Sequence, residues 1–336
     1  MTHAQHPIVS VVLPFFNAEK TLERSIRSIL NQTFCDFELL LVNNNSTDES
    51  NNIAWLLAAE DARIQLLTET IQGVTFAANA GNDLAVGKYI ARMDADDVSH
   101  PERLQKQVDL LDNNPKIDVA SCLVNHIPHH LQNEGLGKFV EWVNSIQTPD
   151  QIRLNCFIEA PVINPTVLLR RELPDKFGGY IHGDFPEDYE MWLRWISNGV
   201  NIQKIPEVLF DWYDSDTRLT RTDPRYRTEA FYRTKTNYLT KWLLDNNRPY
   251  IWVWGAGRVT RQRVAMLQEM GIWVEGFIDV KARVLHDACC IHFEEFNWEA
   301  PSFILSYVGN WGARKEIRDF LISKSKVEGV DFILVA

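Results

Sequence analysis

What this 336-residue chain lacks narrows its class before any motif is read. It has only five cysteines (Cys35, Cys122, Cys156, Cys289 and Cys290), an odd and scattered set. That rules out a disulfide framework as the organising device and suits a reducing compartment. No stretch of 18 consecutive apolar residues occurs, so no membrane-spanning helix is expected. The opening Met1-Thr2-His3-Ala4-Gln5-His6-Pro7 has no charged segment followed by an apolar one, and no secretory leader is expected. A basic excess is missing too: the net charge is −11. This argues against a general nucleic-acid binder, whose affinity comes mostly from phosphate contacts. No internal repeat is evident. The expectation is a cytoplasmic protein with an ordinary 45% hydrophobic content, long enough for two domains.

The charge that is present is uneven. Between Thr217 and Arg263 eleven basic residues face three acidic ones, a local +8 that leaves −19 for the rest. Such a segment suits a diphosphate, an anionic acceptor or peripheral contact with an anionic membrane, and equally a solvated helix face.

Ile8 to Leu13 is a continuously apolar, β-branched run ended by Pro14, the pattern of a buried parallel strand. A helix over Ala18 to Asn31 follows, then a second buried strand, Phe37 to Val42. The polar turn Asn43 to Asp48 comes next, with Ser46 or Thr47 placed to cap a helix carrying Ile53, Leu56 and Leu57. A third strand, Ile64 to Leu67, and a Gly73-led helix precede a fourth, Tyr89 to Met93. This βαβαβαβ alternation predicts a parallel sheet with right-handed crossovers, whose ligands gather at the carboxyl ends of the strands. Further strands are expected at Val119 to Val124, Val162 to Leu169 and Ile202 to Phe210, and helices from Pro101 (N-cap Ser99), from Pro186 and over Thr228 to Asn246.

The fourth strand runs into Asp94-Ala95-Asp96-Asp97, three carboxylates in four positions that repel unless a cation neutralises them. In extended backbone alternate residues point the same way, so Asp94 and Asp96 are expected to offer oxygens to one hard cation, Mg²⁺ or Mn²⁺.

Taken together, Val9-Ser10-Val11-Val12-Leu13-Pro14-Phe15-Phe16-Asn17, Ser28 to Thr33 with Phe37-Glu38-Leu39, Asn45-Ser46-Thr47-Asp48, Ala78-Asn79-Ala80-Gly81, Gly87 to Ile90 with the acids, and Glu187-Asp188 resemble the family 2 glycosyltransferases, inverting enzymes of the GT-A fold. The likeness covers roughly Ile8 to Tyr213. It implies a nucleotide-diphosphosugar donor across the first half of the sheet, with Pro14, Phe16, Asn44, Asn79 and Asp94 lining its pocket and Asp96 holding the metal on the diphosphate. It implies Asp188 as the base that deprotonates an acceptor hydroxyl on a glycan, glycolipid or protein. Arg218 and Arg221, just beyond the last strand of this part, are expected to fold over the donor phosphates. Family members commonly have two acids where Asn43 and Asn44 stand. Asparagine donates as well as accepts, so strict uridine selection is not expected, and thymidine- or guanosine-linked sugars join the candidates.

The domain reading is 1–225 for the GT-A part, 226–248 for a helical connector and 249–336 for a Rossmann-like unit opened by Gly255-Ala256-Gly257, with Asp279 at the end of its second strand. Thr260 stands at the third glycine position, so packing or assembly, including a homo-oligomer, is favoured over a live dinucleotide site. The spacing of His286, Cys289, Cys290 and His292 does not suit a structural zinc site, and His126, His129 and His130 carry no stronger claim. A nucleotidyltransferase and a nucleotide-binding oxidoreductase or sensor are the competing readings. The first lacks a glycine-rich basic loop after the first strand, and the second leaves the N-terminal motifs unexplained.

Overall fold

The computed structural model describes residues 6–129, 134–216, 218–281, 285 and 288–336; His130 and His286 fall outside them. The chain divides into two compact units, one of residues 1–149 and 162–226, the other of 150–161 and 227–336.

Among the described residues the first unit has an eight-stranded sheet: β1 (Val9–Phe15), β2 (Phe37–Asn43), β3 (Ile64–Thr68), β4 (Tyr89–Arg92), β5 (Val98–Ser99), β6 (Val119–Ile127), β7 (Leu168–Arg170) and β8 (Ile202–Tyr213). Their order is β3-β2-β1-β4-β7-β6-β8-β5. β3, β2, β1 and β4 are parallel, and β7 runs antiparallel to both β4 and β6. All seven residues of β1 and of β2 are buried, because helices cover both faces of a parallel sheet. β1 continues through Pro14 to Phe15, two residues beyond the end expected from sequence.

The Val74–Leu84 helix packs tightly enough on β1 that a Cβ at Gly81 would lie 2.4 Å from Val12 Cγ1. Its start is set by Gly73, whose φ of +139° only glycine adopts without strain. Three expectations differ from what forms. The Ser50–Glu60 helix starts four residues beyond Ser46 with no side-chain cap; Asp48 Oδ1 instead accepts the Ser50 N–H at 3.0 Å. Ser99 belongs to β5 rather than capping the Arg103–Asn113 helix. The run Val162 to Leu169 yields only a strand from Leu168, because Pro165 sits in a 3₁₀ turn, Asn164–Thr166.

Among the described residues the second unit has a five-stranded parallel sheet of β9 (Tyr250–Trp254), β10 (Trp273–Asp279), β11 (Cys290–His292), β12 (Ile304–Ser306) and β13 (Phe332–Leu334). Its order, β11-β10-β9-β12-β13, is Rossmann-like, with the order reversing at β9. The Thr228–Asp245 helix is part of this unit: Trp242 packs on Phe303 at 5.8 Å, and Lys235 Nζ donates to the Phe157, Ile158 and Val335 carbonyls at 2.9, 3.1 and 2.8 Å. With Arg318 Nη2 donating to Asn155 Oδ1 at 3.1 Å and Phe157 edge-on to Trp242, those bonds hold 150–161 here. In the glycine turn, Asp279 Oδ2 accepts the Ala256 N–H at 2.8 Å, so this carboxylate is directed at the turn itself. No described helix is long and apolar enough to cross a membrane.

Candidate active site

The first sheet reverses its order between β1 and β4, and the crevice at that switch point is where an open α/β sheet takes its ligand. Four loops meet there. Those after β1 and β2 are pinned together: Asn17, at φ +48°, accepts the Thr47 N–H at 2.8 Å, and Ser46 Oγ accepts the Asn17 N–H at 3.1 Å. Pro14 lies within the strand opposite Val42, whereas Phe16 leaves it with half its surface exposed. Of these two, Phe16 is the one with an exposed face.

The two asparagines expected to touch the donor are committed to the protein. Asn44 is buried; its Nδ2 donates to the Glu69 and Ile71 carbonyls at 3.0 and 2.8 Å, and its Oδ1 accepts from the Gly73 N–H at 2.7 Å and from Gln72 Nε2 at 3.3 Å. Both donors and both lone pairs are in use. Asn79 pairs with the backbone of Tyr180 in both directions, Nδ2 to its carbonyl at 2.8 Å and Oδ1 from its N–H at 3.0 Å. It thereby ties the Val74–Leu84 helix to the loop leading to Asp188.

The acids after β4 lie beyond the strand's last residue, Arg92, so the expected alternation does not set their directions. Partners do. Asp94 pairs with Arg92 Nη2 at 2.8 Å, while Arg92 Nη1 donates to the Met93 and Val12 carbonyls. Asp97 is buried and accepts the Tyr213 N–H at 2.8 Å; burial, with Asp96 and Asp94 nearby, pushes its carboxyl well up. Asp96 is partly exposed, and its carboxyl is pushed up to about 6 by burial and by Asp94, with Arg218 and Arg24 opposing. Arg24 donates to the Asp96 carbonyl at 2.6 Å and stacks on Tyr213 at 3.8 Å.

A carboxylate held at raised pKa beside another fits a hard divalent cation that takes its remaining ligands from phosphate and water. Among the described residues no three or more metal-ligating side chains close on one point, so any such cation has only part of its shell from protein.

Arg218 stacks on Trp212 at 4.0 Å, and its charge reaches Asp96 and Asp97. Arg221 instead pairs with buried Asp214 at 2.6 Å, which makes it a brace of its own loop.

Asp188 sits at the second position of the Glu187–Ser197 helix. Pro186 precedes the helix, and Trp192 and Trp195, both fully buried, anchor it edge-to-face at 5.6 Å. Its Oδ1 accepts the Tyr189 N–H at 2.7 Å. Burial, then the neighbouring Glu187, then Asp94 push its carboxyl up to about 7. Asp94 therefore acts on Asp96, Asp97 and Asp188 alike, which places all four acids in one electrostatic neighbourhood.

Reading the sequence missed Arg92, Arg24 and Asp97 as organisers of this cluster. The one visible signal was Arg92 itself, a cation ending an otherwise apolar strand two residues before an aspartate.

A mixed sheet whose parallel half presents acids at its switch point is the architecture of the GT-A glycosyltransferases. The chain belongs to glycosyl transferase family 2, whose family model matches residues 10–177. It is 30% identical over 251 residues to the uncharacterized glycosyltransferase MJ1057 of Methanocaldococcus jannaschii, covering 73% of this chain and 84% of that protein. It is 33% identical over 189 residues to UDP-Glc:alpha-D-GlcNAc-diphosphoundecaprenol beta-1,3-glucosyltransferase WfgD of Escherichia coli, covering 55% and 68%. It spans only 31% of a further relative, the bifunctional glycosyltransferase pgtA of Dictyostelium discoideum.

Among solved structures, S. aureus TarS 1–349 in complex with UDP-GlcNAc matches with a TM-score of 0.57 at 18% identity, over 78% of this chain and 70% of that one. The mannosyltransferase PcManGT of Pyrobaculum calidifontis in complex with GDP-Man and Mn²⁺ matches with a TM-score of 0.50 at 16% identity, over 80% and 70%. At these identities the two share the fold. The protein is a glycosyltransferase. The family match ends before Asp188, so that residue's role rests on its geometry.

Proposed function

We propose that this enzyme moves a sugar from a nucleotide-diphosphosugar to a hydroxyl acceptor with inversion at the anomeric carbon, Asp188 serving as base. The observation that carries this is the state of Asp188: a carboxyl at a helix start with one oxygen engaged and its pKa pushed up to about 7, close to the working pH of a general base. Phe16 offers an exposed face to the nucleoside, and Asp96 with Asp94 would hold a divalent cation that neutralises the diphosphate as it leaves. Arg218 brings positive charge to the same cluster. Asp188 takes the proton of the acceptor hydroxyl as that oxygen attacks opposite the leaving diphosphate, and a single displacement inverts the centre. A glycan or lipid-linked glycan acceptor is in keeping with the name of the E. coli relative.

The test is Asp188→Asn, which keeps the shape and removes the base. Nucleoside-diphosphate affinity should stay near normal while transfer falls by roughly 10² or more, the contribution typical of a general base. In the unmodified enzyme transfer should rise with pH through about 7 as Asp188 loses its proton. Transfer retained by Asp188→Asn would move the base elsewhere.

A further inference from the structure

Residues 213–216 and 218–226, a strap that follows β8, are anchored to the first unit at each end. At one end the Tyr213 N–H is held by Asp97, and Arg218 stacks on Trp212. At the other, Tyr226 Oη lies 2.7 and 2.5 Å from the two oxygens of Glu187. Glu187 is the first residue of the helix carrying Asp188, and it is almost fully buried.

The turn presenting Tyr226 is braced by its own bonds. Pro224–Tyr226 is a 3₁₀ turn, the Tyr226 N–H bonds to the Asp223 carbonyl at 3.1 Å, and Arg225 and Asp223 form a part-buried pair at 2.7 Å. From this geometry we infer that Tyr226 is a positioning residue for transfer, acting through Glu187 on Asp188. The inference rests on Asp188 being the base.

Burial and the adjacent Glu187 push the Tyr226 phenol far up, so it remains protonated and donates. Its bond favours the charged form of Glu187, opposing the burial that pushes that carboxyl up. Charge on Glu187 in turn raises Asp188. The groups facing this pair are Asp94 from the loop after β4, Tyr180 from the loop before the helix, Arg92 at the end of β4, and Arg225 and Tyr226 from the strap. Among the described residues Tyr226 supplies the side-chain hydrogen bond to Glu187, beside one from the backbone of Glu187 itself. Without that hydroxyl, Glu187 takes up a proton more readily and stops repelling charge on Asp188. The base then ionises at lower pH, in a helix start that has lost its tether.

The experiment compares the full chain with Tyr226→Phe and Glu187→Gln. It follows nucleoside-diphosphate release from whichever of a panel of UDP-, dTDP- and GDP-sugars the enzyme hydrolyses, across pH, with nucleotide affinity and melting temperature measured alongside. Tyr226→Phe should hold nucleotide affinity and lower kcat roughly tenfold, the low end of what a hydrogen bond to a charged group is worth. It should also shift the acid limb of the rate profile to lower pH. Glu187→Gln still accepts the hydroxyl but carries no charge, so it should shift the limb the same way with a smaller loss of kcat. An acid limb that stays put in both variants, with Asp188→Asn inactive, overturns this inference and leaves the base in place. An active Asp188→Asn overturns the base itself. A lower melting temperature with an unmoved limb would make Tyr226 a purely structural tie.

Discussion

Exchanging Asn44 for aspartate separates two roles for the position: touching the donor base, as the family resemblance implies, or shaping the pocket from behind. In the structure the Asn44 amide nitrogen faces two carbonyl oxygens, of Glu69 and Ile71, and its oxygen faces the Gly73 N–H that begins a helix. Aspartate keeps the acceptor side and turns the donor side into an oxygen opposite two oxygens. Two hydrogen bonds are lost, each worth about 1 kcal/mol, and a charge is pressed against carbonyl dipoles at a buried site, for a total of about 2–3 kcal/mol. For a unit of this size that corresponds to a melting-temperature drop of roughly 4–12 °C. Burial raises the folded pKa of the new carboxyl, so the deficit should be smallest at the acid end of the range, where the folded group is protonated and the unfolded one only about half ionised, and should grow as pH rises further above the unfolded value. Thermal unfolding of wild type and Asn44→Asp between pH 4 and 8, paired with competition by UDP, dTDP, GDP and CDP, makes the check. An unchanged melting temperature with sharpened preference for UDP would refute the structural role and return position 44 to the base.

Two further outcomes are expected. Donor hydrolysis should stop in EDTA and return with Mn²⁺ or Mg²⁺, and Asp96→Asn should lower donor affinity as well as rate; full activity in EDTA would remove Asp94 and Asp96 as a cation site. Lys235→Met should strip the Phe157, Ile158 and Val335 carbonyls of a shared donor and cost the second unit about 3 kcal/mol, visible as faster proteolysis within 150–161 and 227–336 while nucleotide affinity stays unchanged. Equal proteolysis of variant and wild type would show that the ammonium is dispensable.

The strands that build the donor crevice were legible because their burial is written into them. β1 and β2 are continuous β-branched and leucine runs, as a strand covered on both faces must be, and the loops at their ends followed at once. What was not legible depends on long-range partners or on a single local breaker. Pro165 cut short a run that otherwise reads as a strand from Val162. The allocation of 150–161 to the second unit follows from partners far along the chain, Lys235 at sequence separations of 78 and 77 and Arg318 at 163. Asn44 and Asn79 were matched to a motif by position, but nothing local says that both amides are consumed by backbone groups.

The three aspartates after β4 make the same point most sharply, since they are chemically identical and four positions span them. Asp97 becomes a structural post because Tyr213, 116 residues away, places its N–H over that carboxylate. Asp94 becomes half of an ion pair because Arg92 is already fixed by the Val12 and Met93 carbonyls. Asp96 has its carbonyl taken by Arg24, 72 residues earlier, while its own side chain stays partly exposed. Burial pushes the carboxyls of Asp96 and Asp97 up alike, so it is the partners, drawn from the ends of β4 and β8 and from the first helix, that divide a repulsive cluster into one post, one pair and one partly exposed acid. An Asp-x-Asp pattern therefore names the acids, and the division among them is a property of the elements that close around them.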